Sequence, residues 1–154
     1  MTAYFLDSSV LVKRYVSETG SAWIQQIADP QTGNLLFIAR ISWVEVNSAL
    51  ARRQREGNLS VTDVNQIIHT FRYDLDTQYQ VVELDLTLVE TAGQLVRQYP
   101  LKAYDAIQLA SVLRIQSIFA QAQSTLLVFL TADDRLIAAA QAEGLLTDNP
   151  NYYA

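Results

Sequence analysis

Short apolar runs alternate with helical spacing along most of the chain. Ala3 to Leu6, Leu35 to Ala39, Tyr79 to Leu84 and Leu126 to Thr131 are rich in apolar and β-branched residues and read as buried strands. Between them the period lengthens. Val10 to Tyr15 and Ser21 to Ala28 predict short helices, separated by the breaker Ser17-Glu18-Thr19-Gly20. A turn cluster, Asp29 to Asn34, leads into the second strand. A further helix opens at Ser42, runs to about Arg55 and stops at Gly57. Ser60-Val61-Thr62-Asp63 has the spacing of an N-cap with an acid at N3, and the helix it starts places Val64, Ile67, Ile68 and Phe71 on one face.

Thr87 to Tyr99 is helical until Pro100 stops it. Lys102 to about Ala120 is apolar nearly all round, which predicts a central helix. Asp134 to Glu143 is a helix ended by Gly144, Leu145 to Thr147 adds an edge strand, and Asn149-Pro150-Asn151 is turn-like. Strands alternating with helices, without hairpin signals, predict an α/β fold: one α/β/α sandwich around a parallel sheet of four to five strands. Nothing in the 154 residues marks a linker or repeat, so a single domain spanning 1–154 is expected.

Composition narrows the chemistry. Half the residues are hydrophobic and 18% are charged, as in a globular protein. The absence of cysteine excludes disulfides, thiolate zinc sites and cysteine nucleophiles. No apolar run is long enough for a signal core or a bilayer span, so a soluble, cytoplasmic protein is expected. The sole histidine, His69, falls mid-helix as a surface residue, which removes histidine-dependent catalysis.

Four acids stand out against this background. Asp7 ends the first strand and precedes Ser8-Ser9, and an acid there serves equally as a helix cap or as a group at the carboxyl edge of a sheet. Glu45 follows Ser42 at capping-box spacing, yet its apolar neighbours Trp43, Val44 and Val46 predict a buried helix start, where a carboxylate needs a partner. Asp105 lies in the first turn of the central helix, where the dipole favours an acid. Asp133 repeats the strand–acid–helix arrangement of Asp7. Thr131 and Asp134 have capping spacing of their own, which leaves Asp133 without a structural task.

Two of these acids end strands and two begin helices, so all four fall on one edge of a parallel sheet. Carboxylates crowded there repel one another unless a cation intervenes. Oxygen-only ligands favour Mg²⁺ or Mn²⁺, which activates water and offsets charge on a phosphate. A formal net charge of −5 sits awkwardly with a phosphate substrate. It predicts either locally concentrated cations or help from an oligomer.

The stretches Leu6 to Lys13, Ser42 to Glu45, Tyr104 to Ala110 and Leu130 to Leu136 together resemble a PIN domain, nearest to the VapC-like toxins of type II toxin–antitoxin systems. The resemblance runs from Tyr4 to the Asn149-Pro150-Asn151 tail. It implies a Mg²⁺- or Mn²⁺-dependent endoribonuclease, homodimeric, inhibited by a cognate antitoxin that inserts a peptide near the site. By position it assigns Asp7, Glu45, Asp105 and Asp133 to the catalytic, metal-binding quartet. Ser8, Ser9 and Thr131 take the supporting hydroxyl positions, and Asp134 is an additional acid. Gln108 stands where many relatives carry histidine, a difference expected to matter little.

Lys13, Arg14, Lys102 and Arg135 neighbour these motifs and are candidates for substrate phosphate, although an ordinary solvated or snorkelling surface position is the default reading of each taken separately. Arg52, Arg53 and Arg55 form a basic cluster open to RNA, to an acidic partner or to solvent. Two other acid-edge folds fit poorly. A phospho-acceptor receiver needs paired acids near its start, and a haloacid-dehalogenase-like phosphohydrolase needs Asp-x-Asp where Asp7 is followed by serine. The remaining alternative is a PIN domain without a toxin role, either an RNA-processing nuclease or a catalytically silent scaffold.

Overall fold

The computed structural model describes residues 2–122 and 125–154. Five strands, β1 (Thr2–Leu6), β2 (Leu35–Ala39), β3 (Tyr79–Val82), β4 (Leu126–Leu130) and β5 (Leu146–Asp148), form one sheet in the order β3-β2-β1-β4-β5. Every neighbouring pair is parallel. The first strand is therefore central, and Phe5 sits in register with Phe37 of β2 and Phe129 of β4.

Among the described residues seven α-helices cover the sheet: α1 (Ser8–Tyr15), α2 (Ser21–Ala28), α3 (Ser42–Arg55), α4 (Val61–Thr77), α5 (Leu86–Gln98), α6 (Ala103–Ala122) and α7 (Asp134–Ala142). The period-2 alternation of the strands divides the apolar residues between two cores. Ala3, Phe5, Leu127 and Phe129 face a core completed by Leu88 and Leu95 of α5, Leu109 and Val112 of α6 and Leu136 of α7. Leu6, Leu36, Ile38 and Leu130 face the opposite core, with Leu11, Ile24, Leu50 and Phe71 from α1 to α4. Covering both faces is what a parallel sheet requires.

Local signals start the helices. Asp7 caps α1, accepting from the Val10 N–H; Ser60 and Asp63 form a reciprocal capping box for α4; Asp85 caps α5; Asp133 caps α7. Gly20 begins α2 at φ +87, and a Cβ there would stand 2.3 Å from the Pro150 carbonyl oxygen, so only glycine admits the tail at this point. Among the described residues no helix is long and apolar enough to cross a membrane.

Two expectations fail locally. Thr131 and Asp134 do not pair as a cap, because Asp133 itself accepts from the Arg135 and Leu136 N–H groups. The start of α3 is capped by Ile41 without any side-chain bond, so Ser42 and Glu45 form no capping box. Nor is that turn uniformly buried, since Val44 is 57% exposed.

Candidate functional site

The carboxyl ends of β1 and β4 are tied together by side chains. The Asp7 carboxylate is buried, and it accepts at one oxygen from the Ser9 hydroxyl and the Val10 N–H. Its other oxygen accepts from the Thr131 hydroxyl at 2.6 Å. Ser9 in turn accepts from the Ala132 N–H at 3.1 Å, and Thr131 accepts from the Asp133 N–H at 3.1 Å. These hydroxyls fix the first acid relative to the chain leaving β4.

Glu45 enters from α3, partly buried. Its Oε2 accepts from the Ser8 hydroxyl at 3.2 Å and its Oε1 from the Gln108 amide at 2.8 Å. The same amide nitrogen donates to the Ser42 hydroxyl at 2.9 Å. Gln108 is 1% exposed, and its amide oxygen has no hydrogen-bond partner among the described residues. The family resemblance makes Gln108 a difference of little weight, whereas the structure makes it a clamp on Glu45. Only its position in the first turns of α6, three residues after Asp105, hinted at this.

Asp105 and Asp133 flank a second, smaller depression of about 400 Å³, which Lys102, Asp134 and Arg135 also line. A larger groove of about 510 Å³ runs past Ser8, Ser9 and Glu45 to Lys13, Arg52 and Arg53, with Tyr104 on its wall. Arg14 lies elsewhere. It points into the opposite core, where its guanidinium donates to the Tyr79 hydroxyl at 2.6 Å. Consecutive residues of a helix project about 100° apart, so Lys13 and Arg14 cannot serve the same surface. The sequence-based placement of Arg14 at the substrate is thereby corrected.

The acids act on one another in series. Burial pushes the Asp7 carboxyl up to about 6 against its three hydrogen bonds, with Glu45 adding repulsion. Burial also raises Glu45, opposed by the Gln108 and Ser8 bonds and reinforced by the charge of Asp105. Asp105 is raised by burial and then by Asp133, with Lys102 pulling the other way. A hard divalent cation suits an all-oxygen donor set of this kind and would reverse each of these shifts. The spacing is wider than a closed cage: among the described residues no three acids stand close enough to hold one ion.

Comparison with known proteins places this geometry in context. The PIN domain family model matches residues 4–142. The ribonuclease VapC45 of Mycobacterium tuberculosis is 30% identical over 115 residues, which span 75% of this chain and 78% of that protein. Among solved structures, VapBC2 from Rickettsia felis, bound to a DNA fragment from their promoter, aligns with a TM-score of 0.63 at 10% identity, covering 96% of this chain and 98% of that one. A toxin–antitoxin complex from Klebsiella pneumoniae aligns with a TM-score of 0.56 at 20% identity, over 96% of this chain and 97% of that one. The similarity to these two structures is one of fold.

Proposed function

The chain belongs to the PIN domain family, and from that premise we propose that it is an endoribonuclease, the toxin of a toxin–antitoxin pair. The observation that supports this most directly is the buried Asp7, oriented by Ser9, Thr131 and a helix N-terminus and pressed by Glu45. An acid placed there with three donors, yet raised by burial and by its neighbour, suits binding a cation better than capping alone.

In this reading Asp7, Glu45, Asp105 and Asp133, which are not gathered into a cage without the ion, would close on Mg²⁺ or Mn²⁺, which would supply an activated water and offset charge on the scissile phosphate. Ser9 and Thr131 fix the Asp7 oxygens, while Gln108 and Ser8 fix those of Glu45. Burial raises both Glu45 and Asp105 from the ordinary carboxylate value, a cost that a bound cation would offset. Asp134, Lys102 and Arg135 rim the depression beside Asp105 and Asp133. In this reading the two cations there meet substrate phosphate. The protein acts in the cytoplasm as a homodimer, held inactive by an antitoxin.

The test is cleavage of a mixed RNA pool with and without Mn²⁺ or Mg²⁺, with wild type beside Asp7→Asn. Metal-dependent cutting that is lost in Asp7→Asn is the expected result. Cutting that persists unchanged in the variant would remove Asp7 from the site.

A further inference from the structure

The larger groove resolves the tension between phosphate chemistry and a chain of net charge −5. Its charged lining is three cations, Lys13, Arg52 and Arg53, against two acids, Glu18 and Glu45. Glu45 belongs to the acid edge. Away from that edge, a single carboxylate serves two cations. Glu18 Oε2 stands 3.4 Å from Lys13 Nζ, and its Oε1 stands 2.5 Å from Arg53 Nη2.

The partners differ in how firmly they are held. Lys13 and Arg53 project from α1 and α3, with side chains only 9% and 23% exposed, and Arg53 is also anchored by a bond to the Ala49 carbonyl. A lysine with so little exposure is not snorkelling to solvent in the usual way. Glu18 lies on the short connection between α1 and α2. Its backbone is fixed through Ser21, whose hydroxyl accepts from the Glu18 N–H and whose own N–H donates to the Glu18 carbonyl. The Glu18 side chain is therefore the member that moves at least cost.

We propose that Lys13 and Arg53 form a phosphate subsite for an RNA strand lying along the groove, and that Glu18 fills this subsite until a backbone phosphate displaces it. The inference rests on the ribonuclease reading above. A phosphodiester carries the same single charge as the carboxylate it replaces, so the exchange leaves the local balance intact. It also offers Arg53 a second oxygen for its planar fork. Arg52, exposed on the same wall, reinforces the field without a partner having to move.

The test compares wild type, Glu18→Gln and Arg53→Gln. Binding of a fluorescent single-stranded RNA is followed in EDTA across a salt series, and kcat and KM are measured with Mn²⁺. Glu18→Gln is expected to lower Kd and KM about 3–10-fold and to steepen the log–log salt dependence by about 0.7, the increment for one more neutralised phosphate. Arg53→Gln is expected to raise both constants and flatten the slope by a similar amount. An ion pair that only braces α1 against α3 predicts the opposite for Glu18→Gln, with KM unchanged or raised.

Wild-type cutting with KM and slope unmoved in Arg53→Gln overturns the subsite and leaves the nuclease reading standing, even if Glu18→Gln fails to fold. No binding and no cutting by any of the three chains overturns both. A gain in binding of polyglutamate by Glu18→Gln without a gain for RNA also overturns it, because the subsite would then serve an acidic protein.

Discussion

Helix α1 has a polar cluster at each end, and the two are balanced differently. At its C-terminal end Arg14 donates to Tyr79 at 2.6 Å and lies 3.6 Å from Asp74, whose carboxylate also accepts from Tyr15 at 2.6 Å. One cation faces one anion, with two phenols between them. At the N-terminal end Asp7 accepts three hydrogen bonds, yet the charged group that acts on it is another acid, Glu45. Both ends are buried and both are well bonded. What separates them is charge: satisfied donors and acceptors do not by themselves make a stable cluster, and the unbalanced end is the one that a bound ion or substrate completes.

Changing the balance at each end sharpens the contrast. The largest effect is expected from Asp7→Asn, with RNA cleavage falling by at least about 1,000-fold, or roughly 4 kcal/mol in activation free energy. Its effect on stability has the opposite sign. The folded-state carboxyl titrates at about 6 against an ordinary value of 3.8, so the native state holds its proton more tightly than the unfolded chain. Stability therefore falls as pH rises from about 4 to 6, and the penalty is complete above that window. Asp7→Asn removes it. A melting series in EDTA should show the variant ahead at pH 8, by at most about 3 kcal/mol, with the pH 4–6 dependence flattened.

The balanced end responds in the reverse way. Arg14→Met leaves Asp74 buried beside two phenols without its cation, at an expected cost of about 3 kcal/mol in a denaturant titration. Cleavage per folded molecule should be unchanged, because Arg14 lines neither depression at the acid edge. Next in size is Gln108→Leu. It removes the donor shared by Glu45 Oε1 and the buried Ser42 hydroxyl together with the unpartnered amide oxygen, so a loss of about 10–100-fold in kcat/KM is expected with only a small fall in melting temperature. Gln108→His, which restores an N–H, should recover part of that activity. The smallest effect is Tyr79→Phe, which deletes one hydroxyl from the balanced cluster and should cost about 1 kcal/mol with activity intact.

The contrast also marks what the sequence could disclose. Leu35–Ala39, Ser21–Ala28 and the Ser60–Asp63 box depend on local pattern and on adjacent turns, and they are legible residue by residue. Asp7 and Asp105 announce themselves by interrupting apolar stretches. The misread positions all depend on distant contacts. Thr131 had capping spacing with Asp134, but its hydroxyl turns to an acid 124 residues earlier, which leaves the cap to Asp133. Ser42 had capping spacing with Glu45, but Gln108, 66 residues later, holds its hydroxyl and α3 starts on Ile41. Lys13 and Arg14, adjacent in the chain, were indistinguishable until packing sent one to a groove and the other to a tyrosine cluster.

The tie between Asp7 and Thr131 has a consequence for when the site comes into being. Of the five strands the central one is synthesised first, yet one of its two neighbours, β4, is added about 120 residues later, after β2, β3 and the helices α1 to α6. A nascent chain lacking residue 131 has Ser9 on one Asp7 oxygen but lacks the Thr131 hydroxyl that holds the other, and β1 has an unpaired edge where β4 will lie. Pairing over so long a sequence interval is slow, because loop closure precedes any gain from contact. The acid edge is therefore assembled late in folding, and a ribosome bearing a partial chain would carry all the residues of β1 and α1 without yet carrying a working site.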